Sequence, residues 1–116
     1  MKKYEKLKAK KDISYLFENG KWLTCGSLRI IFCENESSKT GVSVSKRYFK
    51  KAVNRNRIKR LLRECYRKNK GLYHASFGKE THAMLFWVSP NLPKKLNEVE
   101  EYFVALCEKV KNRATK

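Results

Sequence analysis

The chain holds few of the residues on which acid–base and metal chemistry depend. Among 116 residues there is one aspartate, Asp12, and there are two histidines, His74 and His82. The glutamates are scattered, so no paired acid and base and no carboxylate cage for a cation is visible. Neither histidine belongs to a motif, and both fit ordinary structural or surface positions. The five glycines are isolated, which excludes a Gly-rich phosphate loop. The four cysteines, Cys25, Cys33, Cys65 and Cys107, form no CxxC pair, which argues against a zinc site and against a secreted disulfide scaffold. Free thiols in a reducing cytoplasm are the simpler account. No apolar run is longer than the six residues 83–88, too short to span a membrane. Residues 1–11 lack the apolar core of a signal peptide. The polypeptide alone does not read as an enzyme.

What the chain has in excess is positive charge. Lys and Arg number 28 against 11 Asp and Glu, a net charge of +17, within a globular composition of 41% hydrophobic residues. Such self-repulsion favours a polyanionic partner, nucleic acid first and an anionic membrane surface second. The charge is also concentrated. Residues 46–70 carry twelve basic residues and one acid, Glu64, and residues 1–11 carry six lysines and Glu5. A charge run is often only a solvated face, but this density calls for a counter-charge. No repeat or Gly/Pro-rich linker divides the chain. Residues 1–116 are therefore expected as one basic domain, with 1–11 as a flexible basic segment.

Coarse patterning predicts an α/β (α+β) two-layer sandwich in the order α-β-β-α-β-α. Asp12 is expected to cap a short helix with Ile13, Leu16 and Phe17 on one face, ending at Asn19-Gly20. Residues 27–34 (SLRIIFCE) read as a strand and 41–45 (GVSVS) as its hairpin partner. Residues 51–70 form the strongest helix signal, 71–80 a loop, and 82–89 (HAMLFWVS) a central strand covered on both faces. Pro90 and Pro93 precede a last helix over about 94–112, with Leu96, Val99, Phe103, Leu106, Cys107 and Val110 on one side.

The helix over 51–70 is the informative element. At 100° per residue, Leu61, Leu62 and Cys65 fall within about 60° of Ile58, forming one apolar stripe. Asn56, Lys59, Arg60, Arg63 and Arg67 fall on the far side, between roughly 100° and 200°. Arginine's planar fork suits phosphate. Lys50, Lys51, Arg55 and Arg57 crowd the helix start, against the macrodipole, which is understandable if phosphates lie there. A membrane-surface helix would need the apolar stripe that the core claims. A DNA-reading helix would want a helix-turn-helix partner, and strands flank this one. A structural RNA-binding protein, such as a ribosomal protein, remains an alternative.

The stretch 41–64, GVSVSKRYFKKAVNRNRIKRLLRE, resembles the signature of the bacterial ribonuclease P protein component: an SVSK strand end, then Arg55-Asn56-Arg57 continuing as IKRLLRE. The basic N-terminus and the FENG segment at 17–20 fit as well. The resemblance implies a sandwich with a left-handed crossover around the central helix, as in a domain of a small-subunit ribosomal protein. It implies a subunit of an endoribonuclease whose catalytic RNA removes the 5′ leader of precursor tRNA with Mg²⁺ held mainly by RNA. No membrane or obligate protein partner is implied. By that resemblance Lys46, Arg47, Arg55, Asn56, Arg57, Lys59, Arg60, Arg63 and Arg67 face the catalytic RNA. The leader cleft falls on Lys6, Ile13, Phe17, Ile31 and Phe32, with isoleucines at two positions that are aromatic in the family.

Overall fold

The computed structural model describes Leu7 and residues 9–35, 37–78 and 80–114, with 112–114 described as backbone only. Eight elements follow in order: α1 (Lys10–Asn19), β1 (Lys21–Cys25), β2 (Leu28–Glu34), β3 (Lys39–Val44), α2 (Ala52–Lys68), α3 (Lys70–Phe77), β4 (Thr81–Trp87) and α4 (Leu96–Ala114). The fold is the expected mixed sandwich, with two elements more than the sequence patterning anticipated.

The strands form one sheet in the order β1-β2-β4-β3. The hairpin is β1–β2, closed by Gly26 at φ 59, a conformation that glycine adopts without penalty. A Cβ there would also run into the Tyr102 ring. The expected pairing of β2 with β3 is corrected: β4 lies between them, antiparallel to β2 and parallel to β3. The chain passes from β3 to β4 through α2 and α3, so β4 is an interior strand beside β2, as its apolar run suggested, although its α1 side is only half-buried at Met84 and Phe86.

One face of the sheet is fully covered. Leu28 and Ile30 of β2 and Ala83, Leu85 and Trp87 of β4 pack against Ile58, Leu62 and Cys65 of α2, Tyr73 and Phe77 of α3, and Val99, Phe103, Leu106 and Cys107 of α4. The apolar stripes foreseen on α2 and α4 are the ones that face the core, with Leu61, Leu96 and Val110 only half-buried at its rim. Most of the span 71–80 is not a loop, since α3 runs to Phe77. Gly71 faces open space, and Tyr73 and Phe77, four apart, bury themselves and hold α3 in helical form. Glu98 reaches back to the Lys94 N–H at 3.2 Å, stabilising the start of α4 after the prolines.

Among the described residues, the other face is covered by α1 and Leu7. Leu16 is buried over Ile31, with Leu7, Ile13, Cys33, Met84 and Phe86 around them. Asp12 does not cap α1. The helix starts three residues earlier than that cap implies, the Ile13 N–H bonding the Ala9 carbonyl, and Asp12 sits in the first turn, 3.5 Å from Lys39 Nζ. That placement still suits the macrodipole. Gly20 ends the helix where a Cβ would meet the Leu16 carbonyl and the Ile31 side chain. The segment 1–11 is not an extension throughout. Leu7 is buried and its N–H bonds the Thr40 carbonyl at 3.1 Å, while Lys10 and Lys11 are helical.

Candidate nucleic-acid interface

Two surfaces of opposite character stand out: a basic one on α2 and an aromatic one on the open part of the sheet. Helical periodicity builds the first. With Ile58, Leu62, Cys65 and Tyr66 buried, Asn56, Arg57, Arg60 and Arg67 are left exposed, and Lys59, Arg63 and Glu64 half-buried. Arg57 and Arg60 share a groove of about 530 Å³ with Asn56, Val53, Leu61 and Glu64. The helix has no acid in its first turn and no side-chain cap at Lys51. Among the described residues, Arg57, Arg60 and Arg67 make no hydrogen bond or ion pair. Arg63 keeps its Nε buried without a partner, an arrangement that costs free energy unless a further acceptor arrives.

Arg55 stands apart from the rest of the basic set. Its Nη1 donates to the Phe49 carbonyl at 2.8 Å and to the Lys50 carbonyl at 2.9 Å. The guanidinium therefore ties down the loop between β3 and α2, which carries exposed Lys46, Arg47 and Tyr48. Its role on this geometry is to hold the loop that presents those groups.

The second surface arises because α1 is too short to cover its sheet face. Alternation sends Trp22 and Thr24 of β1, Arg29 and Ile31 of β2, and Met84 and Phe86 of β4 to that side. α1 covers the row of Ile31 and Met84, while in the next row Phe86 is half-buried against the same cluster and Arg29 is left exposed. Phe17 projects from α1 beside that strip and meets Trp22 edge-on at 5.9 Å and Phe86 at 6.2 Å between ring centres. Trp22 and Phe86 lie 5.5 Å apart. Phe17 and Trp22 are 46% and 40% exposed, far more than core rings allow.

Of the leader-cleft residues expected from the sequence, Phe17 alone lies on this strip. Ile31 is 0% exposed beneath Leu16 and has no surface to offer a base, which corrects its placement. Phe32 points to the opposite face, where it packs edge-on against Phe77 at 4.8 Å, so it too is corrected. Ile13 is half-buried against the same cluster as Ile31. Lys6 lies outside the described residues. Trp22, Arg29 and Phe86 were missed. Alternation within β4 could have singled out Phe86, whereas Trp22 needed β1 to be recognised.

Among the described residues no three His, Cys, Asp or Glu side chains come together to hold a metal ion. The described residues do not fit a protein-held magnesium. His82 is buried in β4 with its ring nitrogens 3.2 Å from Asn35 Nδ2 and 3.3 Å from Ser37 Oγ, and His74 lies on α3. All four cysteines are free. Burial pushes the Cys65 thiol up to about 12 and the Cys107 thiol to about 11, so neither is a nucleophile at neutral pH. Among the described residues no helix is long and apolar enough to cross a membrane.

Known proteins share this arrangement. A solved structure, the ribonuclease P protein from Thermotoga maritima, superposes with a TM-score of 0.75 at 25% identity, covering 90% of this chain and 96% of that one. The ribonuclease P protein component of Legionella pneumophila (strain Corby) is 41% identical over 68 residues, 57% of this chain and 60% of that protein, so the match spans under two thirds of that relative. The ribonuclease P protein component of Alkaliphilus metalliredigens is 31% identical over 115 residues, 96% of this chain and 97% of that protein. Residues 1–111 match the Ribonuclease P family. Matched over residues 1–111 by that family and 31% identical along nearly the whole length of one such relative, the chain belongs to the ribonuclease P protein family.

Proposed function

We propose that the chain is the protein subunit of a ribonuclease P ribonucleoprotein in the cytoplasm, a one-domain RNA binder that promotes removal of the 5′ leader from precursor tRNA. The catalytic RNA lies along α2, where Asn56, Arg57, Arg60 and Arg67 face phosphates, with Lys46 and Arg47 presented by the loop that Arg55 holds. The unpaired leader crosses the open strip of the sheet, with Phe17 as a stacking surface. Chemistry resides in the RNA and its Mg²⁺ ions. The protein supplies fixed positive charge that condensed ions would otherwise provide. Free thiols suit a reducing compartment.

The observation that carries this reading is the row of exposed arginines on α2 that have no protein partner, in a chain of net charge +17. Reconstitution tests it. Protein alone should leave precursor tRNA intact, and protein with the family's catalytic RNA should cleave at a lower Mg²⁺ concentration than that RNA alone. Efficient cleavage by protein without any RNA subunit contradicts the reading.

A further inference from the structure

The open strip holds one feature that leader contact at Phe17 does not use. The Arg29 guanidinium carbon sits over the Trp22 indole, 4.4 Å from its centroid. The two residues lie on neighbouring strands, with Thr24 opposite Arg29 and Ile31 opposite Trp22, so this is a diagonal cross-strand pair. Both are exposed, and Arg29 makes no ion pair among the described residues. Phe17 and Phe86 meet the indole at 5.9 Å and 5.5 Å, which fixes its orientation from two further elements. A tryptophan held this firmly, yet 40% exposed, is apolar surface that folding has not removed from water.

The chemistry of the pair is specific. An arginine held over an aromatic ring has already lost much of its side-chain freedom, so little ordering remains to oppose binding. Its planar group can stack against a base while its N–H donors reach the adjoining phosphate. The charge of the chain suits only an anionic occupant. Ile31 is buried and Ile13 half-buried, so stacking capacity on this face has to come from the strip instead.

We infer that Trp22 and Arg29 form a second base-stacking position for the precursor leader, at the β1 side of the strip and distinct from the position served by Phe17. This rests on the function proposed above and adds a residue pair that determines how many leader nucleotides the protein grips. A leader too short to reach β1 gains nothing from the pair. A longer one gains affinity with little regard to base identity, because every base has a stacking face.

The test uses assembled holoenzyme and precursor tRNAs carrying one abasic nucleotide at successive leader positions. Trp22→Ala should weaken binding of the intact precursor about tenfold, the scale of one base–aromatic contact. That penalty should vanish when one particular leader position is abasic, and the position should differ from the one that erases the Phe17→Ala penalty. Binding of mature tRNA should not change. Arg29→Gln and Arg29→Lys should lose affinity alike, since lysine restores charge but not the plane. Melting curves of each variant verify the fold, and the arginine variants carry the test if Trp22→Ala does not fold. Four outcomes overturn the inference: no penalty, a penalty unaffected by any abasic position, one shared with Phe17, or full rescue by Arg29→Lys. If wild-type holoenzyme shows no preference for precursor over mature tRNA, the proposed function itself fails instead.

Discussion

The two faces of the sheet use the same kinds of residue for different ends. On the closed face, Tyr66, Tyr73, Phe77 and Phe103 stack or meet edge-on within 6.3 Å, and all are buried. On the open face, Phe17, Trp22 and Phe86 make contacts of similar length, yet two of them stay more than one-third exposed. Ring-to-ring distance therefore does not separate core from interface; coverage does. Three helices seal one face, and a ten-residue helix covers only part of the other. The apolar surface left over on the open side, next to a strongly basic chain, is the kind that a single-stranded nucleic acid can occupy.

The largest effect expected from breaking this contrast is on the closed face. Leu62→Ala should lower stability by about 3–5 kcal/mol, the cost of a cavity under α2, read by thermal or denaturant unfolding. RNA affinity of the fraction still folded should stay unchanged. Next comes the basic surface. Arg60→Ala should weaken binding to the catalytic RNA by about 1.5–3 kcal/mol with no shift in melting temperature, as for a charge-assisted hydrogen bond. Arg55→Ala should lower both affinity and melting temperature, because it releases the Phe49 and Lys50 carbonyls. Equal behaviour of the two variants in filter-binding and melting experiments contradicts the separate role assigned to Arg55.

On the open face, Phe17→Ala should reduce holoenzyme affinity for precursor tRNA by about 1–3 kcal/mol and leave mature tRNA binding unchanged. Equal losses for both would place Phe17 in a purely structural role. The smallest effect is electrostatic and belongs to the closed face. Cys65 and Cys107 have pKa values raised by burial, from 9.0 to about 12 and about 11. Unfolded thiols ionise first, so their stabilising contribution is intact below pH 9 and is lost as pH rises towards 11–12. Melting measured at pH 8 and pH 10.5 should show a smaller alkaline drop when both cysteines are replaced by alanine.

The sequence made the closed face more legible than the open one, for physical reasons. Ile58, Leu62 and Cys65 repeat with the helical period against a background of arginine, so both stripes of α2 show in a linear reading. α4 is legible in the same way. α3 was hidden by Gly71, which reads as a breaker locally and is harmless because it faces solvent at the helix start. β1 is five residues with two charged or polar side chains, too short for alternation to identify. The β3–β4 pairing joins strands separated by two helices, which local periodicity cannot reveal. The open strip depends on all of these at once. Trp22 and Phe86 are 64 positions apart in the chain and meet only because β2 lies between β1 and β4. Phe32 was misplaced because an apolar run hides which of two adjacent residues faces which way, and Ile31 because only the packed structure shows Leu16 lying over it.

The two tryptophans allow the contrast between faces to be measured directly. Trp22 lies on the open face at 40% exposure and Trp87 on the closed face at 4%, with its Nε1 donating to the Asn91 carbonyl. Holoenzymes containing Trp87→Phe or Trp22→Phe each report from one face by fluorescence. Adding precursor tRNA should quench the Trp22 signal more than adding mature tRNA does, and the Trp87 signal should not distinguish the two. A leader-dependent change at Trp87 with Trp22 silent would contradict the assignment of the open face to RNA.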